Sequence, residues 1–284
     1  MRYALLAAVA ALAQALACTF AQAQTEAQPR KLTLASTTST EQSGLFTHLL
    51  PIFKRATGID VRVVAVGTGQ ALTLAQRGDA DAVLVHDRFG EDKLIADGHG
   101  IDRRDVMFND FVIVGPSRDV ASVRGLQDAC EAFRRIASAN AQFASRGDDS
   151  GTHRMELSLW KAAGIEPRSA SSASWYRELG SGMGPTLNTA AGLPAYTLTD
   201  RATWAAFRNP GQLTMLVSGD ARLFNPYGSI RVNPAKGTHI KTDEARIWHD
   251  WLTGPPGQAA IASFRINGEQ LFFTSSSLPR GFSG

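Results

Sequence analysis

From Lys31 onward, short apolar runs alternate with amphipathic stretches. Leu32–Ser36 is an apolar strand. The stretch after it places Leu45, Leu49, Ile52 and Phe53 at i, i+4, i+7 and i+8, one face of a helix. Ser39 and Gln42 have the spacing of a capping box at that helix's start, and Pro51 is expected to kink or shorten it. Ile59–Val66 is a β-branched strand, Gln70–Arg77 a short helix and Ala82–His86 another apolar strand. This βαβαβ succession predicts a parallel sheet covered by helices.

A second pattern begins at Phe111–Val114, a strand ending at Gly115-Pro116. Next come a helix through Leu126–Ala137, a strand at Gln142–Arg146 and a helix from Gly151 to Ala163, with Gly164 and Pro167 as its C-terminal punctuation. A short helix follows Gly182-Met183-Gly184-Pro185. Ala195–Leu198 and Leu213–Val217 read as strands, and Asn225-Pro226-Tyr227-Gly228 as a turn. Arg246–Leu252, with Trp248, Trp251 and Leu252, is amphipathic and expected to pack on a sheet. The expected class is α/β, in two lobes each built on a mainly parallel sheet flanked by helices. Residues 31–112 plus 224–284 form one lobe and 113–223 the other. The chain crosses near Phe111–Pro116 and returns near Leu216–Tyr227, so a ligand belongs in the interlobe cleft, beyond the carboxyl ends of the strands.

The N-terminus differs in kind. Arg2, an Ala/Leu-rich run from Tyr3 to Leu16 and Ala21-Gln22-Ala23 read as a secretory signal peptide over residues 1–23. The run is short and alanine-rich for a membrane span, so export to the periplasm as a soluble protein is expected. Ala15-Leu16-Ala17-Cys18 is a loose lipoprotein box with its Leu one position late. The reading favours cleavage after Ala23 over lipid attachment at Cys18. Cys130 then remains alone and is expected to be buried and inert. A hydrophobic fraction of 44% with 19% charged residues suits a globular chain with a full core. The net charge of +3 falls to +2 without Arg2, which is too balanced for a nucleic-acid binder.

Three polar loops share one design, a strand's end running into a helix's start: Ser36-Thr37-Thr38-Ser39-Thr40, Gly67-Thr68-Gly69-Gln70, and Arg146-Gly147-Asp148-Asp149-Ser150-Gly151-Thr152-His153. Helix N-termini carry unpaired N–H groups and the positive end of the dipole, so each loop can cradle an anion. A Ser/Thr loop before a helix is also an ordinary N-cap. The third loop exceeds what a cap requires, because Arg146 adds a planar, fixed charge and Asp148 is placed to brace it.

Ser36–Phe46 (STTSTEQSGLF) resembles the opening signature of the tungstate-binding subunits of ABC transporters, and Arg146–His153 (RGDDSGTH) resembles their second. Asp81–Asp87 (DAVLVHD) and Gly182–Leu187 (GMGPTL) resemble further segments of that family, in the expected order. The resemblance implies a two-lobed type II periplasmic binding protein that captures a tetrahedral oxyanion and passes it to a membrane permease, as a monomer and without cofactor or metal. It implies ligand contacts from Thr37, Thr38, Ser39 and Thr68 of the first lobe and from Arg146, Ser150, Gly151 and Thr152 of the second, with Met183 and Gly184 nearby. The family motif commonly opens with Thr, where this chain has Ser36.

Tungstate carries no proton near neutral pH and needs donors only. Molybdate is nearly isosteric, and no residue separates the two. The Arg146 loop is also similar to that of phosphate-binding proteins. Hydrogenphosphate wants a carboxylate acceptor, and Asp87 is either that acceptor or a solvated strand-end residue. A hydrolase or lyase on the same fold is the rival class, since Ser150, His153 and Asp148 lie close in sequence. No Gly-x-Ser-x-Gly elbow and no HExxH pair supports it. A receptor module read by a signalling partner is a third class.

Overall fold

The structure, a computed structural model, describes residues 30–277. The expected signal peptide, with Cys18, lies outside the described residues. The first sheet grows around β1 (Lys31–Thr37), whose Leu32 and Leu34 face one core while Ala35 faces another. A strand buried on both faces has to be apolar on both. It pairs in parallel with β2 (Asp60–Val66) and with β3 (Ala82–Val85). The helices Leu45–Thr57 and Thr68–Arg77 make the crossovers and cover opposite faces. The hydroxyl-rich loops therefore leave β1 and β2 at their carboxyl ends.

The sheet continues through two further strands, one of which serves both halves of the fold. β4 (Gly100–Pro116) runs for 17 residues. Further along the chain, β5 (Phe143–Ser145), β6 (Tyr176–Glu178), β7 (Thr197–Asp200) and β8 (Leu213–Val217) precede β9 (Phe224–Val232). β9 lies antiparallel between β3 and the first part of β4, and β10 (Phe273–Thr274) closes the edge, giving the order β10-β4-β9-β3-β1-β2. The last part of β4, Phe111–Pro116, leaves β9 and pairs antiparallel with β7 and β8. β5 and β6 pair in parallel, and a parallel bridge from Phe143 to Tyr196 ties β5 to the chain entering β7. The eight-stranded sheet is mixed, with its antiparallel pairings on β4 and β9, and the separate β5–β6 pair is parallel.

Packing separates into clusters on either side of each sheet. Leu32, Leu34, Leu49, Phe53, Trp248 and Leu252 form one core of the first sheet, and Leu72, Val83, Val85 and Ile230 its other face. In the second half Phe111 and Ile113 point to Phe133, Phe143, Trp160 and Tyr196, whereas Val112 and Val114 point to Met183 and Leu187. Cys130 is buried and free, and burial raises its thiol pKa, which leaves it inert.

Local expectations are corrected in three places. Thr37, not Ser39, caps the helix Thr38–Gln42, accepting from the Thr40 N–H at 3.3 Å. Pro51 neither ends nor shortens its helix, which runs on to Thr57 with the proline exposed. The residues Asn225–Gly228 are strand rather than turn. Pro226 lies beyond the end of β3, where β9 has a neighbour on one side only, and that is where a strand tolerates proline.

Glu156, on the helix Gly151–Ala162, is buried without a cation. Its Oε1 accepts from Trp160 Nε1 at 3.2 Å and from the Tyr176 hydroxyl at 2.8 Å. Burial pushes its pKa up to about 8, against the opposing pull of those hydrogen bonds. The folded protein therefore holds a proton that the unfolded chain releases near pH 4.5, and the stability linked to Glu156 declines as pH rises from there to about 8. Glu156→Gln should lose that decline. Urea unfolding at a series of pH values should show the variant gaining on the parent by at most about 1.4 kcal/mol per pH unit across this window. A constant difference would show that the carboxyl is already ionised.

Candidate functional site

On the first-lobe side, β1 delivers Thr37 into a closed hydroxyl cluster. Thr37 Oγ1 lies 2.7 Å from Thr40 Oγ1 and 3.1 Å from Ser39 Oγ, and all three residues are buried. Ser39 Oγ is 3.3 Å from Nε2 of His86, the residue that follows β3. Burial lowers the His86 pKa to about 4, with a raising contribution from its Asn225 hydrogen bond and a further lowering one from Arg146. The ring is neutral at physiological pH. Thr68 opens the helix after β2 and is fully buried.

On the second-lobe side, β5 ends at Ser145 and the next residue, Arg146, is only 2% exposed. A guanidinium there needs a partner. Asp148 Oδ2 accepts from Arg146 Nε at 3.2 Å and from Nη2 at 2.5 Å, which is the bracing expected from the sequence. Asp148 Oδ1 accepts from the Ser150 N–H at 3.2 Å and ties the guanidinium to the start of the helix Gly151–Ala162. Gly147 lets the loop turn here with φ +60°. The Thr152 hydroxyl is buried and has no hydrogen-bond partner among the described residues.

The two sides meet. Arg146 Nη2 donates to Thr38 Oγ1 at 3.4 Å, the Gly151 N–H to Thr68 Oγ1 at 2.9 Å, and the Gly184 N–H to Gln42 Oε1 at 3.1 Å. Arg154 pairs with Asp87 and, at 2.7 Å, with Asp149. The sequence-derived residues thus gather at one place, with three changes of role. Asp87 is committed to Arg154 and is not a free carboxylate acceptor. The Met183 side chain is buried in the apolar cluster with Val112, Val114 and Leu187, so only its backbone can face a ligand. Gln42 belongs to the contact with Gly184 rather than to a capping box. Gln42, His86 and Arg154 were not read as site residues. His86 carried a visible signal, as the polar residue at the carboxyl end of a buried strand.

A Ser–His nucleophile pair is not what Ser150 and His153 form. The Ser150 hydroxyl caps its helix by accepting from the His153 backbone N–H at 3.3 Å, while His153 Nδ1 accepts from the Asp149 N–H at 3.0 Å. No group of three or more His, Cys, Asp or Glu suited to a metal ion occurs among the described residues.

Two α/β halves joined through the long strand β4, with the buried Arg146 and a set of hydroxyl side chains where they meet, define a solute-binding protein. A family model described as a PBP superfamily domain matches residues 22–256. The tungstate-binding protein TupA of Peptoclostridium acidaminophilum is 42% identical over 233 residues, covering 81% of this chain and 80% of its own. Among solved structures, the tungstate ABC transporter structure from Geobacter sulfurreducens is 49% identical, with a TM-score of 0.75 over 82% of this chain and 98% of its own. The tungstate-binding protein TupA of Desulfovibrio alaskensis G20 is 43% identical, with a TM-score of 0.72 over 86% of this chain and 98% of its own. The chain belongs to the PBP superfamily and, within it, to the family of the TupA proteins.

Gly151 leaves little room for a side chain where the two halves meet. A Cβ there would lie 3.1 Å from both His86 Cε1 and the His86 carbonyl oxygen. Gly151→Ala should therefore part the lobes at this point. The amide of residue 151 should lose its bond to Thr68 and exchange with solvent about tenfold faster, with global unfolding free energy held within about 1 kcal/mol. Hydrogen exchange read by mass spectrometry checks this, and unchanged protection would mean that His86 gives way instead.

Proposed function

We propose that this chain is an extracytoplasmic solute-binding protein that captures tungstate and delivers it to the permease of an ABC transporter. The observation that carries the reading is the buried Arg146–Asp148 pair, which reaches Thr38 where the Gly151 N–H also meets Thr68. Such a cage supplies hydrogen-bond donors and one fixed positive charge. A dianion without a proton needs nothing else, and burial strengthens each charge-assisted bond. The N-termini of the helices Thr68–Arg77, Gly151–Ala162 and Met183–Gly192 add their dipoles. The names of the similar proteins support tungstate as the ligand.

The residues that would hold the anion come from both 31–112 and 113–223, so ligand stabilises the closed arrangement that a permease reads. Export by a signal peptide over residues 1–23 and a monomeric state complete the proposal. Phosphate is the weaker reading, because Asp87, the carboxylate suited to accept its proton, is held by Arg154. Molybdate shares tungstate's charge and shape and is expected to bind as well.

Calorimetric titration of the mature chain with tungstate, molybdate, sulfate and phosphate tests this. Tight tungstate binding with sulfate and phosphate silent is expected, and phosphate binding alone would overturn it. Arg146→Ala should cost at least about a hundredfold in tungstate affinity, the cost of losing a buried charged donor, without loss of secondary structure. Asp87→Ala should weaken tungstate by about two- to fivefold, as for a partly exposed ion pair, and added salt should shrink the difference. A loss confined to phosphate would instead return Asp87 to the role of proton acceptor.

A further inference from the structure

A line of buried side chains runs away from the cage, and its hydrogens can be placed from one end to the other. It starts at Asp200, the N-cap of the helix Arg201–Ala206, whose Oδ1 accepts from the Thr203 N–H at 2.8 Å. The same oxygen accepts from Asn109 Nδ2 at 3.4 Å. Asn109 therefore turns its Oδ1 the other way, where it accepts from Asn225 Nδ2 at 2.6 Å. Asn225 Oδ1 is then left to face His86 Nδ1 at 2.9 Å. A carbonyl oxygen can only accept, so the proton sits on Nδ1. The buried ring is neutral, so Nε2 is bare and accepts from the Ser39 hydroxyl at 3.3 Å.

The placement of these groups is as specific as their polarity. Asn109 and Asn225 stand opposite each other on β4 and β9, next to the point where β4 crosses into the second half of the fold. Asp200 ends β7 of the second half, and His86 follows β3 of the first. The His86 ring lies against Tyr227 with centroids 4.8 Å apart, and a Cβ at Gly151 would come within 3.2 Å of its Nδ1. Every member of the line is at most 6% exposed, so solvent does not scramble the pattern.

We propose that His86 is a positioning residue of the anion cage, locked by Asp200, Asn109 and Asn225 as the Nδ1–H tautomer, and that it claims the Ser39 hydroxyl proton. Ser39 is then a link in the wall and not a donor to the anion, which is bound by the Thr38 hydroxyl, backbone amides and Arg146. The opposite tautomer would donate into Ser39 and turn the Ser39 proton towards the ligand. The carboxylate at the far end of the line thus sets the sense of the first lobe's wall. The proposal rests on the cage described above as the anion site.

Nitrogen-15 NMR of the histidine-labelled full chain, free and with tungstate, reads the tautomer directly. A neutral ring protonated on Nδ1 is expected in both forms between about pH 6 and 8. An Nε2–H tautomer, or titration in that range, would overturn the proposal. Asn225→Asp sets a carboxylate beside the imidazole, with Arg146 the nearby cation, Asp200 the next acid and Tyr227 neutral. The ring should then take up a proton in the same range, and tungstate affinity should become tighter at lower pH, where the parent's is flat. Identical pH profiles would overturn the assignment. Should that variant not fold, Ser39→Ala decides the matter: a loss within about threefold is expected of a link, and tenfold or more would make Ser39 a donor. Failure of the parent to bind tungstate would remove the ligand reading, while the tautomer measurement would still settle the line.

Discussion

A guanidinium withdrawn from water at the junction of two lobes dictates most of what surrounds it. Arg146 follows a short strand, so its backbone position is set by the second sheet, and its charge must be answered locally. Asp148 answers it two residues on, and the same carboxylate receives the Ser150 N–H, joining the charge to the start of a helix. The same Nη2 that donates to Asp148 also reaches Thr38 of the other lobe. One residue thereby ties together a strand end, a helix start and the opposite wall. An isolated buried charge is costly, whereas one half-satisfied by the protein and completed by an anion is a binding site.

The wall opposite is built on a different economy. It carries no cation of its own among the residues that touch the cage. Its hydroxyls are organised by one another and by a neutral imidazole, so their direction is set by hydrogen bonding and not by charge. The positive charge therefore sits on one lobe and the ordered dipoles on the other, and in the proposed complex a dianion between them is attracted to both.

Much of this was legible in the chain. The apolar run Leu32–Ser36 predicts a strand, and the Arg-x-Asp spacing at 146–148 predicts the brace because two residues is the reach of a carboxylate back to a guanidinium. The first half of β4 was not legible: Asp102, Arg103, Arg104 and Asp105 look like a loop, and they sit in a strand because each charge finds a partner, Arg103 on Glu91 and Arg104 on Asp102 and Asp250. The turn signals of Asn225 and Pro226 misled for a related reason, since the Asn side chain is spent on tertiary hydrogen bonds to His86 and Asn109. Contacts such as Asp87 with Arg154 or Gln42 with Gly184 join residues 67 and 142 positions apart, and no local pattern announces them.

The crossings between the halves also have a mechanical side. β4 stays hydrogen-bonded to β9 from Gly100 to Asp110 and pairs with β7 and β8 from Phe111 onward. The chain returns into β9 at Phe224, the residue that pairs with Asp110. The two crossings therefore lie side by side, each a single run of backbone. Any movement of one half against the other is taken up by the few torsions at those adjacent points, since element-terminal residues are where such changes concentrate.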